Sequence, residues 1–171
     1  MKALIINCIR DLVRDKFGAN MYKDIAEKVG LEDKNYLNNV DIDDETFKKL
    51  IDELSKSSKL SVKQIFDAFG DYWVNVFSQK YFKSYYRTYK NAKDFLMAMD
   101  KIHLNVVNTY GGSTPPRFSF KENGNKLIIH YNSKRNLIDL LISLIKGVAK
   151  YYNQMINVNK IDNKTIEVEF K

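Results

Sequence analysis

Two histidines and one cysteine are all the imidazole and thiol donors in 171 residues, and they narrow the chemistry sharply. A structural zinc centre takes four ligands at spacings such as C-x2-C, which are absent, so a His/Cys zinc site is excluded. No G-x-S-x-G elbow places a serine nucleophile, and the glycine patterns of phosphate-binding loops and dinucleotide folds are missing. Hydrolytic and nucleotide chemistry fall away. His103 remains, in a helical run with Leu96, Met99, Ile102, Val106 and Val107 along the same side. Such a histidine has two readings. One hydrogen bond to a carbonyl makes it a neutral core residue, and the same neutral imidazole in a dry apolar slot is what a haem iron takes as its one protein ligand.

A haem also brings two carboxylates, and a site that buries them must supply donors. Tyr131, Ser133 and Arg135 meet that requirement at a strand end, where alternate residues share a face. The plainer reading of the three is a packed tyrosine, a serine capping the next helix and an exposed arginine. His130 points to the other face and is read as a surface residue, so no distal acid-base histidine is available for peroxidase chemistry.

Apolar spacing assigns the elements that carry these residues. Leu4, Ile5, Cys8, Ile9, Leu12 and Val13 predict a helix from Met1 that ends by Gly18, followed by a short helix over Tyr22 to Val29. Asp43 and Asp44 open a third helix through Phe47, Leu50, Ile51 and Leu54, with acids where the helix dipole favours them. Ser61 with Gln64 forms a capping box for a fourth helix running through Ile65, Phe69, Trp73, Val76 and Phe77. The histidine helix is expected over 92–110, stopped by Gly111-Gly112. Beyond Pro115-Pro116 the pattern alternates. Segments 117–120 and 126–131 flank an Asn-Gly turn, a helix spans 136–155, and segments 156–160 and 164–170 make a second hairpin. The fold class is α+β: a helical N-terminal part, then an antiparallel sheet of about four strands crossed by a long helix.

Composition sets the outer bounds. At 44% hydrophobic and 13% aromatic, one domain's worth of chain has material for a core and is not intrinsically disordered. No apolar run approaches the roughly 18 residues of a membrane span, and Arg10, Asp11 and Arg14 come too early for a signal peptide. Cys8, alone in an apolar stretch, fits a reducing compartment, so a cytoplasmic location is expected. The net charge of +7 raises nucleic acid as a partner, but Lys48, Lys49, Lys56 and Lys59 alternate with Asp44, Glu45, Asp52 and Glu53. The densest stretch, 80–90 (KYFKSYYRTYK), is either a stacking platform for single strands or a connection that buries its rings and leaves its cations in water. A basic nucleic-acid or partner-docking module without haem is therefore the alternative reading, and nucleic acid is not the expected partner.

The order of His103 on a helix, Ser113-Thr114-Pro115-Pro116-Arg117, and then Tyr131-x-Ser133-x-Arg135 resembles the H-NOX (haem nitric oxide/oxygen binding) family, which includes the haem domain of soluble guanylate cyclase. Met1 to Gly18, Asp41-Ile42-Asp43-Asp44 and Phe95-Leu96-Met97-Ala98-Met99-Asp100 are similar to further family segments, so the likeness covers essentially the whole chain.

The resemblance implies a single haem-binding domain over 1–171, with a helical part over about 1–60 and a haem-helix and sheet part over about 61–171, haem b lying between them. His103 would be the proximal iron ligand. Tyr131, Ser133 and Arg135 would bind the propionates, and Pro115 would pack against the porphyrin and bend it. Ile5, Ile9, Val74, Phe77, Leu140 and Leu144 would line the distal side. Family members that hold oxygen stably carry a distal tyrosine where Leu140 stands, so NO and CO binding with poor oxygen affinity is expected. Trp73 is the one residue whose N–H could reach the ligand. The implied function is gas sensing without catalysis: NO binding breaks the iron bond to His103, and a histidine kinase, cyclase or chemoreceptor reads the change.

Overall fold

The structure, a computed structural model, describes residues 3–37, 40–111 and 114–171. The helix start expected at Met1, the second glycine of the stop at 111–112, and Ser113 lie outside the described residues.

The first helix, α1 (Ala3–Phe17), buries Leu4, Ile6, Cys8, Ile9, Leu12 and Val13. Its one buried amide, Asn7, accepts from the Tyr36 N–H at 2.9 Å and donates to the Tyr36 carbonyl at 2.8 Å, pinning the loop that follows the second helix. That helix, α2 (Ala19–Lys28), begins three residues earlier than expected. Gly18 sits at φ 93, where glycine has no steric penalty, so the chain turns and re-enters a helix immediately. Next comes α3 (Asp44–Ser58), capped by Asp43, which accepts from the Thr46 N–H at 2.8 Å. The capping box of Ser61 and Gln64 is present at the head of α4 (Val62–Tyr72).

Two expected helices are interrupted. The fourth does not run unbroken through Phe77: α4 gives way to a π-helical turn (Trp73–Phe77) and a 3-10 turn (Ser78–Lys80). Widening the turn frees the Val74 carbonyl, which accepts from Gln79 Nε2 at 2.8 Å. The segment 80–90 contains a short helix, α5 (Lys83–Thr88). The helix expected over 92–110 is split at Ala98 (φ −86, ψ −5) into α6 (Ala92–Met97) and α7 (Met99–Tyr110).

Strands β1 (Arg117–Asn123) and β2 (Lys126–Asn132) form a hairpin whose turn is only Gly124-Asn125, so both strands are longer than expected. Gly124 at φ 59 satisfies the positive φ that a two-residue hairpin loop needs. The helix expected over 136–155 is shorter at both ends: α8 spans Ile138–Tyr151. The last hairpin pairs β3 (Ile156–Lys160) with β4 (Thr165–Phe170). The sheet order is β1-β2-β4-β3, antiparallel throughout.

Alternation along the strands decides which sheet face is covered. Leu127, Ile129, Tyr131, Ile166 and Val168 are buried on one face with Val148 and Ile145 of α8, while the other face is largely polar. Each such aliphatic side chain contributes about 1.5–3 kcal/mol on burial, enough that a one-residue slip of β2 or β4 is excluded. A second apolar cluster joins α1, α2, α3 and α4 to Phe77 and Leu140. Leu144 and Trp73 pack against both clusters, so the π turn and α8 form the seam between them.

Candidate functional site

His103 lies in the second turn of α7, one residue after the buried Ile102. Its Nδ1 is 2.8 Å from the Met99 carbonyl, four residues back on the same helix. A carbonyl only accepts, so this contact assigns the proton to Nδ1 and leaves the Nε2 lone pair uncommitted. Burial pushes the imidazole below its ordinary value, which keeps it neutral. A neutral ring with a fixed tautomer and one free basic nitrogen is a competent metal ligand whose orientation is set by the backbone.

Phe118 joins this ring to the second motif. Its centroid is 5.3 Å from that of His103 and 5.7 Å from that of Tyr131. Tyr131 is buried near the end of β2, and its N–H donates to the Lys164 carbonyl at 2.7 Å. Ser133 falls just beyond the strand, where its Oγ accepts from the Arg135 N–H at 3.2 Å, so it shapes a turn and does not continue the strand row. Asn136, at φ 49, then redirects the chain into α8. Arg135 donates from Nε to Asp44 at the head of α3 at 2.7 Å. Burial is the largest single influence on the Asp44 carboxyl and would raise it, but the hydrogen bonds and positive charges around it, Arg135 first among them, together hold it below the ordinary range. Among the described residues the Tyr131 hydroxyl and both terminal nitrogens of Arg135 have no protein acceptor. Those are the free donors a carboxylate-bearing ligand needs.

Asp100, one turn before His103, was not singled out by sequence reasoning. It accepts from Arg117 Nε and Nη2, both at 2.8 Å, and from the Phe118 N–H at 2.8 Å. Those hydrogen bonds, Arg117 first, hold its carboxyl down at about 2. The histidine helix is thereby fastened to the first residues of β1, directly after Pro115 and Pro116, both half-buried. Phe118 and Asp44 were missed likewise. The signal available for Asp100 was an acid one helical turn from the histidine.

The expected distal residues divide between the clusters. Ile9, Phe77 and Leu140 are buried in the helical one with Ile5 and Leu144 against it, and Val74 is buried in the sheet cluster, which Leu144 also touches. Trp73 stacks between Phe69 and Phe77 at 5.8 and 5.6 Å, and among the described residues its indole N–H has no acceptor. In segment 80–90 the rings turn inward. Tyr86 is buried and stacked on Phe95 at 4.6 Å, Tyr89 meets the edge of Phe95, and Tyr81 alone is exposed, so the segment presents no stacking platform. A groove of about 840 Å³, open to solvent, runs past Arg117, Phe118, His130, Tyr131 and Lys164. Among the described residues no group of three or more His, Cys, Asp or Glu side chains is arranged for a metal ion.

A sequence model of the Haem-NO-binding family, HNOB, matches residues 2–160. The chain belongs to this H-NOX family. Solved H-NOX structures share its fold over its whole length. One, an oxygen-binding H-NOX domain related to soluble guanylate cyclases, is 26% identical, with TM-score 0.86 and 95% of its own chain covered. Another, from work on H-NOX activation, is 27% identical, with TM-score 0.87 and 97% covered. An H-NOX protein from S. oneidensis, 18% identical with TM-score 0.91 and 96% covered, supports the fold alone. H-NOX domains are haem-binding gas sensors, and this chain's helical part, four-stranded sheet and crossing helix are those of that family. No described helix is long and apolar enough to cross a membrane.

Proposed function

We propose that this H-NOX chain senses nitric oxide, and binds CO, on a ferrous haem b ligated by His103, with poor oxygen affinity, and that it signals to a partner such as a histidine kinase, cyclase or chemoreceptor in the cytoplasm. The observation that carries the reading is the His103 arrangement: Nδ1 is committed to the Met99 carbonyl, the ring lies against Phe118, and among the described residues Nε2 has no partner. A haem held by His103 would supply an iron able to take a diatomic gas, and NO binding there would weaken the hold of His103.

The chain's own residues do the rest. Tyr131, Arg135 and the Ser133 hydroxyl would offer donors to the carboxylates of a haem, and Pro115 would pack against its ring. Ile5, Ile9, Val74, Phe77, Leu140 and Leu144 exclude water from the distal side. Leu140 has no hydroxyl to give a charge-assisted hydrogen bond to oxygen, whereas NO and CO depend on one far less. Asp100 ties α7 to β1 through Arg117 and the Phe118 N–H, so a movement of His103 would be carried from α7 to the sheet. A second tie, Arg135 to Asp44, links the propionate end to α3. Two such ties let one local event bias how the helical and sheet parts sit together.

An absorption spectrum of the reduced protein tests the reading. The expected result is a Soret band that moves on NO addition to the position of five-coordinate nitrosyl haem, with only slow oxidation in air. No Soret band after haem reconstitution overturns haem binding, and a stable oxygenated spectrum in air overturns the ligand preference.

A further inference from the structure

The edge of the sheet at β3 carries an independent message. β3 has a neighbour on one side only, because the order is β1-β2-β4-β3. The Ile161 N–H donates to the Thr165 carbonyl at 3.0 Å and the Lys171 N–H to the Met155 carbonyl at 3.0 Å, so residues 155, 157, 159 and 161 use their backbone groups toward β4. By alternation, the N–H and C=O groups of Ile156, Val158 and Lys160 point away from the sheet, and among the described residues they have no partner. Side chains alternate in the other sense. Ile156 and Val158 lean on the covered face, while Met155, Asn157, Asn159 and Ile161 stand on the open one.

Natural sheets guard such an edge with charge, proline or a bulge, and this edge has lost its guard. It contains no proline and no acid, and its only cation, Lys160, is neutralised by Asp139 at 2.8 Å. Met155 and Ile161, which flank it, are 73% and 55% exposed, among the most exposed large apolar residues described. Asn157 is held against Glu169 at 3.1 Å.

We propose that β3 is a self-pairing edge through which two copies of this chain associate, antiparallel about Val158. The register follows from the free backbone groups. Val158 faces Val158 of the second copy and Ile156 faces Lys160, which uses all three outward N–H and all three outward C=O groups of each chain. The same register sets Met155 opposite Ile161 and Asn157 opposite Asn159, so apolar meets apolar and amide meets amide on the open face. Sliding by two residues sets Met155 against Asn159 and destroys that match. The result is a continuous eight-stranded sheet. A five-residue edge buries less than the roughly 1,200 Å² of a standard interface, so the pair is weak and dependent on concentration.

Sedimentation equilibrium of the haem-loaded protein from about 0.05 to 1 mM tests this, because weak pairs populate in that range. The wild type is expected to shift toward dimer across the series. Met155→Lys with Ile161→Lys sets like charges across both symmetry-related contacts and raises the dissociation constant about tenfold or more. Met155→Glu with Ile161→Glu does the same although it lowers the net charge, which separates the contact from general repulsion. Met155→Lys with Ile161→Glu restores association, because the introduced charges oppose across the pair and lie about 20 Å apart within one chain, too far to neutralise each other. Amide exchange reads the edge directly: the amides of Ile156, Val158 and Lys160 become protected as concentration rises. A wild type that stays monomeric throughout overturns the proposal. So does dimerisation unaffected by the like-charge pairs, a mixed-charge variant as monomeric as they are, or a dimer in which those three amides stay unprotected.

Discussion

His103 presents one basic nitrogen because the other is spent on the Met99 carbonyl, and replacing it separates the ligand from the cavity around it. His103→Gly removes the side chain proposed to ligate and opens space of about an imidazole. Free imidazole is therefore expected to restore the ferrous spectrum in the mutant, and a normal five-coordinate ferrous haem without added imidazole would mean that another group is the ligand. Leu140 carries the opposite kind of test. It is buried beside Ile9 and Phe77, and Leu140→Tyr places a hydroxyl where no donor stands. A hydrogen bond to an oxygen molecule with charge separation is worth about 1.5–3 kcal/mol, so oxygen affinity is expected to rise roughly tenfold to a hundredfold while NO affinity changes little. Oxygen titration of the reduced variant reads it.

At the scale of elements, the crossing of α4 and α8 sets the seam on which both parts of the molecule meet. A Cβ on Gly70 would sit on the Ser143 carbonyl, and one on Gly147 would come within 2.5 Å of the Gly70 oxygen. Backbone on both sides cannot give way as a flexible side chain would. Gly70→Ala is expected to cost about 2–4 kcal/mol and lower Tm by roughly 4–16 °C, by pushing the helices apart. Differential scanning calorimetry checks it, and an unchanged Tm would show that the two helices separate freely. The same crossing explains which parts of the fold were legible in the sequence. The Ser61–Gln64 capping box and the presence of a hairpin turn at 122–125 are local, so pattern alone finds them, although the turn closes on Gly124-Asn125 and not on the Asn-Gly pair. The π turn at Trp73–Phe77 begins three residues after Gly70, which meets a helix more than seventy residues away, and periodicity contains nothing of that contact. The split at Ala98 is invisible for the related reason that alanine favours a helix in isolation. At the site, His103 on its helix and Tyr131 on its strand are placed by spacing, whereas Ser133 and Arg135 fall in the turn after the strand and not in the expected row. Asp100 and Asp44 are not, because their partners Arg117 and Arg135 are 17 and 91 residues away.

For the whole molecule the question is how strongly the ties between its parts hold and what releases them. Asp100 bears the clearest signature, its carboxyl lowered to about 2 by Arg117 and then by the Phe118 N–H. A carboxyl lowered on folding contributes stability that is present above its unfolded value, about 3.9, and is lost as pH falls through the folded value. Between about pH 4 and pH 2 the unfolded chain takes up the proton first, and the tie between α7 and β1 weakens. The magnitude is modest. Arg117 is more than half exposed, so water screens the pair and its share of global stability is about 1 kcal/mol or less. Asp100→Asn keeps the shape, and its amide carries no charge to titrate. Urea unfolding at pH 5 and pH 3 is therefore expected to show a larger loss for the wild type than for Asp100→Asn, by up to about 1 kcal/mol. Under the proposed ligation, acid weakening of the hold of His103 on a haem would be common to both proteins and would cancel in the comparison. Equal losses would assign the acid sensitivity elsewhere, and the displacement of α7 would then have to reach the sheet through the ring contact of His103 with Phe118 alone.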